Sequence, residues 1–320
     1  MSVLLQSCFK EDEKVPVYKP GELETLITDV GDTYYRQIFV DLNTLEEKAS
    51  HTIGSWDLAF NCDENQWHVI LNSALMMYAG NTQDTNFATI IEEEGWEMKF
   101  DVSSGNLDST SIGKWYQIDG EGQNISLKQV YVINRGIDGD LNQLGYKKIQ
   151  LDFQDGHYKI RYANLDGTDE RVQIVEKDEQ YNFTYLSFEN GLLNIEPPKD
   201  EWALKFSRYS TLLFTDEGDP YDYNVVGVLL NPNQVSAART SNNFDEIVLQ
   251  DTASYTFNKQ ADMIGYNWKL YDFDGASYSI IPDMNYIIKD NNNFYYKLRF
   301  ISFYDQFGNK GAITYEVKRL

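Results

Sequence analysis

The sequence is poor in the residues that most often carry crosslinks or chemistry. Of 320 residues only two are cysteine and three histidine. Cys8 and Cys62 cannot supply a disulfide framework, and His51, His68 and His157 show none of the short spacings that build a helix-borne zinc site. Positive charge is in deficit as well. The 27 Lys and Arg against 50 Asp and Glu leave a net charge of −23 and a pI near 4.4, so a phosphate backbone would be repelled and nucleic acid is excluded as a partner. No apolar run approaches the ~20 residues that a membrane-spanning helix requires. Also missing are a phosphate-cradling Gly-rich loop with Lys-Ser/Thr, a Gly-x-Ser-x-Gly elbow and a Cys/His pair in a sensible context. Carboxylates are too numerous for one pair to stand out as a glycosidase acid and nucleophile. The expectation is therefore a binding protein and not an enzyme.

What is abundant is packing material. Hydrophobic residues make up 42% and aromatics 14%, with 23 Tyr and 17 Phe, which is too rich for intrinsic disorder despite the acidic balance. At roughly 150 residues per domain the length suggests about two domains.

The first twenty residues read as an anchor. Leu4-Leu5-Gln6-Ser7-Cys8 looks like the end of a bacterial lipoprotein signal, with apolar residues and a small residue before a lipid-accepting cysteine. Residues 1–7 are then the remnant of a signal without its basic region, and Cys8 carries a thioether-linked diacylglycerol. The Lys10-Glu11-Asp12-Glu13 run after it resembles the export signal of Bacteroidota surface lipoproteins, which implies the outer membrane and a face turned outward. Residues 8–20 form an acidic tether with no apolar period.

The rest of the chain repeats itself. Trp56-Asp57-Leu58-Ala59-Phe60 is matched by Trp202-Ala203-Leu204-Lys205-Phe206 at an offset of 146, and Phe39–Leu42 falls on Tyr185–Phe188 at the same offset. Asn86-Phe87 with Ile90 matches Asn243-Phe244 with Ile247, and Ile112-Gly113 with Trp115 matches Ile264-Gly265 with Trp268. Tyr131-Val132-Ile133 matches Tyr286-Ile287-Ile288, Tyr146-Lys147 matches Tyr296-Lys297, and Ile160 and Tyr162 match Ile313 and Tyr315. Small drifts in offset are what loop insertions produce. The chain reads as a tandem duplication, with one unit over residues 21–176 and another over 177–320.

Both units read as antiparallel β with little helix. Gln37–Leu42, His68–Leu71, Gln129–Ile133, Lys148–Phe153 and Lys159–Tyr162 are short, rich in β-branched and aromatic residues, and bounded by Gly, Asn or Asp. Asp155-Gly156, Asp166-Gly167 and Asp274-Gly275 supply hairpin turns. The one expected helical turn is Phe87–Glu94, where Phe87, Ile90 and Ile91 could share a face. Trp56, Trp115, Trp202 and Trp268 recur at matched places and read as core, Glu196-Pro197-Pro198 reads as a loop, and Cys62 reads as a buried thiol. Asp216, Asp219 and Asp222, like Asp138-Gly139-Asp140, lie in acidic loops that lack EF-hand spacing and read as solvated.

The order Tyr34-x-x-Gln37-x-Phe39-x-x-Leu42, then Trp56–Phe60, then Val69–Ser73, is similar to the opening of HmuY-like proteins. Asn267-Trp268-x-x-Tyr271, Ile281-Pro282, Tyr286–Lys289 and Tyr296–Tyr304 with Gly308 and Gly311 resemble that family's closing half. The resemblance covers most of both units and implies an all-β fold and a surface lipoprotein that captures haem. It also implies paired His or Met axial ligands from loops of the later half; the matching loops here carry Met263 and Met284, which could face each other across a planar ring. The corresponding places in the first unit, near Ser111 and Gln129, carry neither. A Met more commonly fills a core gap. Two readings stay open: haem capture with hand-over to an outer-membrane transporter, and a non-haem accessory lipoprotein whose β-fold makes protein or ligand contacts in an outer-membrane complex.

Overall fold

Short β-branched and aromatic runs cut by Asp, Asn and Gly favour strands over helices, and the computed structural model is all-β over the residues it describes, 20–320. The first eleven strands are β1 (Glu24–Asp29), β2 (Arg36–Asp41), β3 (Glu46–Thr52), β4 (Leu58–Asn61), β5 (Val69–Leu71), β6 (Tyr78–Asn81), β7 (Tyr116–Ile118), β8 (Asn124–Ser126), β9 (Val130–Asn134), β10 (Tyr146–Gln154) and β11 (His157–Ala163). The next eleven are β12 (Arg171–Val175), β13 (Phe183–Ser187), β14 (Gly191–Leu193), β15 (Leu204–Phe214), β16 (Pro220–Leu230), β17 (Ser236–Thr240), β18 (Lys269–Asp272), β19 (Ser277–Ile280), β20 (Asn285–Lys289), β21 (Tyr295–Tyr304) and β22 (Lys310–Arg319). Among the described residues the only helical pieces are five short 3-10 turns.

The strands form two five-stranded sheets, β12-β11-β10-β9-β6 and β1-β22-β21-β20-β17, and two four-stranded sheets, β14-β13-β4-β5 and β16-β15-β2-β3. All ladders are antiparallel, and β7-β8 and β18-β19 stand apart as hairpins. Advancing every strand of one five-stranded sheet by eleven positions, and wrapping round the chain, gives the other, and the four-stranded sheets obey the same rule. The sheets nonetheless draw on both stretches of chain: β1 pairs with β22, β2 with β15, and β13 with β4. A cut between 176 and 177 therefore falls across shared ladders and does not separate two sets of sheets.

Each four-stranded sheet packs one face on a five-stranded sheet. Leu58, Phe60, Val69 and Phe188 meet Tyr131, Ile149, Ile160 and Tyr162 in one core, while Ile38, Val40, Phe206 and Val228 meet Tyr286, Leu298, Phe300 and Tyr315 in the other. Period-2 alternation explains the division, since neighbouring residues such as Ala59 and Lys205 point to the opposite faces. Those opposite faces turn toward each other, so that two sandwiches are stacked through their four-stranded sheets. Trp56 Nε1 donates across this junction to Gln37 Oε1 at 2.9 Å, and Arg208 Nε donates to the Ala74 carbonyl at 2.6 Å.

Two expectations need correction. Residues 87–89 make a single turn and no helix follows. Asn86 caps it by accepting from Ala88 N at 3.2 Å, which satisfies the turn locally, and Ile91 points outward while Phe87 and Ile90 are buried. The match of Tyr146-Lys147 with Tyr296-Lys297 is one residue out of register. Lys148 sits opposite Val132 and donates to the Ile90 and Leu165 carbonyls at 2.8 and 2.9 Å, while Lys297 sits opposite Ile287 and donates to the Phe244 and Ile247 carbonyls at 2.6 and 3.1 Å. A one-residue slip moves a side chain to the other face of the sheet, so Lys148 is the counterpart of Lys297. The Asp155-Gly156 turn behaves as expected: both residues have positive φ, 51° and 78°, the twist that joins β10 to β11 in a two-residue hairpin.

Candidate ligand-binding sites

Met263 and Met284 are half-buried and pack on the core between β20-β21-β22 and β15-β16. Met284 ends a turn in which Asp283 has φ of 58°, and leads straight into β20. Met263 precedes Ile264 and Gly265, and Gly265 bridges to Val228 of β16. The two loops converge on Tyr286, whose hydroxyl lies 3.2 Å from the Met284 sulfur and 3.4 Å from the Ile264 carbonyl. Burial pushes this phenol well above its ordinary range, so it stays protonated and donates. In the other sandwich Ser111 is engaged with Asp101, and the Gln129 carboxamide accepts from Asn81 at 2.9 Å.

The histidines are dispersed. His68 lies 2.8 Å from Gln66 Oε1, and His51 packs at a tilt against Phe39 with centroids 5.9 Å apart. Burial pushes the His51 imidazole down to about 4, so it is neutral at physiological pH. Cys62 is fully buried, with Sγ 3.4 Å from Thr184 Oγ1, and burial raises its thiol, which makes it unreactive. Asp138 spends its carboxylate within its own turn, on Asp140 N and Asn142, and among the described residues no group of three or more His, Cys, Asp or Glu side chains is placed to hold a metal. Cys8 and its surroundings lie outside the described residues.

A second site lies where the two sandwiches meet. The facing sheets and the 101–110 loop leave a cavity of about 150 Å³ between Phe39, Trp56, Tyr185, Trp202, Lys205 and Leu229. Its walls follow the repeat: Trp56 meets Tyr185 edge to face at 4.9 Å, and Trp202 meets Phe39 in the same way at 4.9 Å. Buried Asn72 donates to the Trp56 carbonyl at 2.8 Å as buried Asn231 donates to the Trp202 carbonyl at 2.7 Å. The polar content does not follow the repeat. Glu196, 4% exposed, accepts from Asn182 Nδ2 at 2.6 Å and from Phe183 N and Tyr185 Oη at 3.2 Å each. Burial raises its carboxyl to about 7 against the pull of those donors and of Lys205. Among the described residues Lys205 has no hydrogen bond or ion pair, and burial lowers its ammonium.

Reading Glu196-Pro197-Pro198 as a plain loop missed this site, because nothing local signals that a Glu beside two prolines is interior. The available signal was the comparison of matched positions. At the offset of 146, Gln37 falls on Phe183 and Ala59 on Lys205, and those are the places where polar and apolar character swap.

Against known proteins, a family model described as HmuY protein matches residues 33–317. No curated protein matches. Among solved structures, apo PinO from Porphyromonas gingivitis shares 10% identity and a TM-score of 0.30, covering 93% of this chain and 97% of its own. The apo HmuY analog TFO from Tannerella forsythia shares 9% identity and a TM-score of 0.26, over 94% and 97%. Superpositions at this level define no common site.

Proposed function

Since the chain belongs to the HmuY family, whose model spans residues 33–317, we propose that it binds haem outside the cell, as a lipoprotein held at the outer membrane through Cys8 that hands its cargo to an outer-membrane transporter. The family match carries this reading. Haem is the cargo, and the protein acts as a carrier and not as an enzyme. Met263 and Met284 are the residues we assign to the iron. Both sulfurs belong to loops that meet at Tyr286, both are half-buried at a core edge, and a thioether is an accepted axial donor. Neutral sulfur ligands also release iron without taking up a proton, which suits a carrier. Ligation by Met284 requires its sulfur to leave the Tyr286 hydroxyl, now 3.2 Å away. We also read residues 21–176 and 177–320 as tandem units of one duplicated ancestor; the eleven-strand periodicity of the sheets supports this even though the ladders interleave.

The test is a titration of ferric and then dithionite-reduced haemin into the protein, beside Met263→Ala and Met284→Ala. The reading expects saturable one-to-one binding and a six-coordinate spectrum that either variant abolishes. A spectrum identical to free haemin overturns it. The accessory-lipoprotein reading has its own supporting observation: the β18-β19 hairpin and the β21-β22 turn present Phe273 and Phe307 at 86% and 80% exposure, as a contact surface would. It predicts no haem spectrum at all.

A further inference from the structure

We propose that the cavity between the two sandwiches is a second binding site, specific for a small organic carboxylate with an aromatic or branched apolar body. Its walls are apolar and aromatic, supplied by Phe39, Trp56, Leu229 and their neighbours. Two of its lining residues, Trp202 and Lys205, carry hydrogen-bond donors that have no partner among the described residues. Trp202 is 4% exposed and its Nε1 makes no hydrogen bond, although the matched Trp56 Nε1 donates to Gln37. The reason is in the sequence: the position of Gln37 is taken by Phe183 in the other half, so the acceptor is gone. Lys205, in the same lining, stands where the other half has Ala59, in register with Phe39, and has no hydrogen bond or ion pair among the described residues.

The two carboxylates at the site are already committed. Both oxygens of Glu196 accept from Asn182, Phe183 N and Tyr185, and both oxygens of Asp101 accept from Leu71 N and Ser111. The buried Trp202 N–H therefore lacks an acceptor, which costs free energy until one arrives, and the Lys205 ammonium in the same lining favours an acceptor with negative charge. A carboxylate supplies two such oxygens, one for the ammonium and one for the indole N–H. The volume sets the size of the body: a cavity of ~150 Å³ is large enough for a benzene ring, and drug-sized or larger ligands need about 300 Å³ or more. Benzoate is thus the natural probe, and a haem macrocycle does not fit, so the site is independent of the proposed haem ligands.

The experiment titrates sodium benzoate into the full chain by calorimetry and tryptophan emission, with toluene as the apolar control. Expected are saturable one-to-one binding, a change in emission, and affinity reduced about tenfold or more in Lys205→Met, which keeps an unbranched side chain one atom shorter and removes the charge. Phe183→Gln restores to Trp202 the partner that Trp56 has, and is expected to weaken benzoate binding without unfolding the protein. Absence of saturable binding, equal affinity for toluene, or unchanged affinity in a folded Lys205→Met overturns the proposal. If Lys205→Met fails to fold, Phe183→Gln decides in the same way. Haemin binding measured on the same variants is expected to be unaffected, so a failure here is distinguishable from a failure of the haem reading.

Discussion

Glu196 offers the sharpest physical test, because the effect of replacing it has a sign that changes with pH. The carboxyl is sealed between Asn182, Phe183 N and Tyr185 and titrates near pH 7, from an ordinary value of 4.5. Between those two values the folded protein holds a proton that the unfolded chain has released. Stability falls with rising pH wherever the folded state binds more protons. At about 1.4 kcal/mol per pH unit, this one group therefore removes about 3 kcal/mol of stability between pH 4.5 and pH 8. Glu196→Gln preserves shape and the acceptor for Asn182 or Tyr185, and it does not ionise. Urea unfolding of both proteins at several pH values gives a difference curve in which titrations common to both cancel. The variant is expected to be the less stable protein in acid, where the neutral acid keeps its full set of hydrogen bonds, and to gain on the parent by about 3 kcal/mol as pH rises to 8. Lys205 acts in the same direction, since loss of the nearby carboxylate lowers its ammonium further and favours its neutral form in the folded state as pH rises. Parallel curves for the two proteins would refute the reasoning, because they would mean that Glu196 is solvated and titrates as an ordinary carboxyl.

The remaining predictions rest on other contacts. Tyr286→Phe frees the Met284 sulfur from its hydrogen bond at 3.2 Å, so haemin affinity should rise by about fivefold, the equivalent of about 1 kcal/mol; an unchanged affinity would argue against Met284 as a ligand. Asp57 and Arg135 form a buried pair at 2.8 Å, with the other Asp57 oxygen accepting from Phe188 N, so Asp57→Ala should cost about 3 kcal/mol in urea unfolding, with the strands β4 and β13 reporting it first by hydrogen exchange. Asn231→Ala strips donors from the Lys199 and Trp202 carbonyls and should cost about 2–3 kcal/mol. Residues 1–176 alone lack β22, β15 and β13, the ladder partners of β1, β2 and β4. That fragment should be unfolded as a monomer, and a well-dispersed amide spectrum from a monomeric fragment would contradict the sheet pairings.

Some of this protein was legible in the chain because the relevant physics is local. Asp155-Gly156 encodes its hairpin through the backbone conformations that the two residues tolerate, and the order of Trp56, Val69, Tyr131 and their partners encodes strand order through side-chain alternation. Trp115 and Trp268 lie in the two cores as expected, because a large apolar surface has few other stable places, whereas the matched Trp56 and Trp202 are buried at the junction of the sandwiches and line the cavity there. The Met263 and Met284 loops were visible only as positions, and the structure adds that both converge on Tyr286. At Phe87–Glu94 an apolar period over one turn does not distinguish a helix from a capped turn, and Asn86 decides for the turn. The Lys147 match failed for a related reason, since two adjacent lysines leave the register to be set by the neighbouring strand, and Val132 chose Lys148.

The amino-acid sequence alone determined that this is an acidic, aromatic-rich β protein whose strands recur in one order, because strand propensity, turn chemistry and apolar alternation act over a few residues. Tertiary structure alone decided which strands share a ladder, that the two stretches of chain interleave, and that Glu196, Trp202 and Lys205 line one cavity. Those outcomes depend on contacts between residues far apart in the chain, where the cost of burying a charge or leaving an N–H unpaired is set by what the other half brings opposite it.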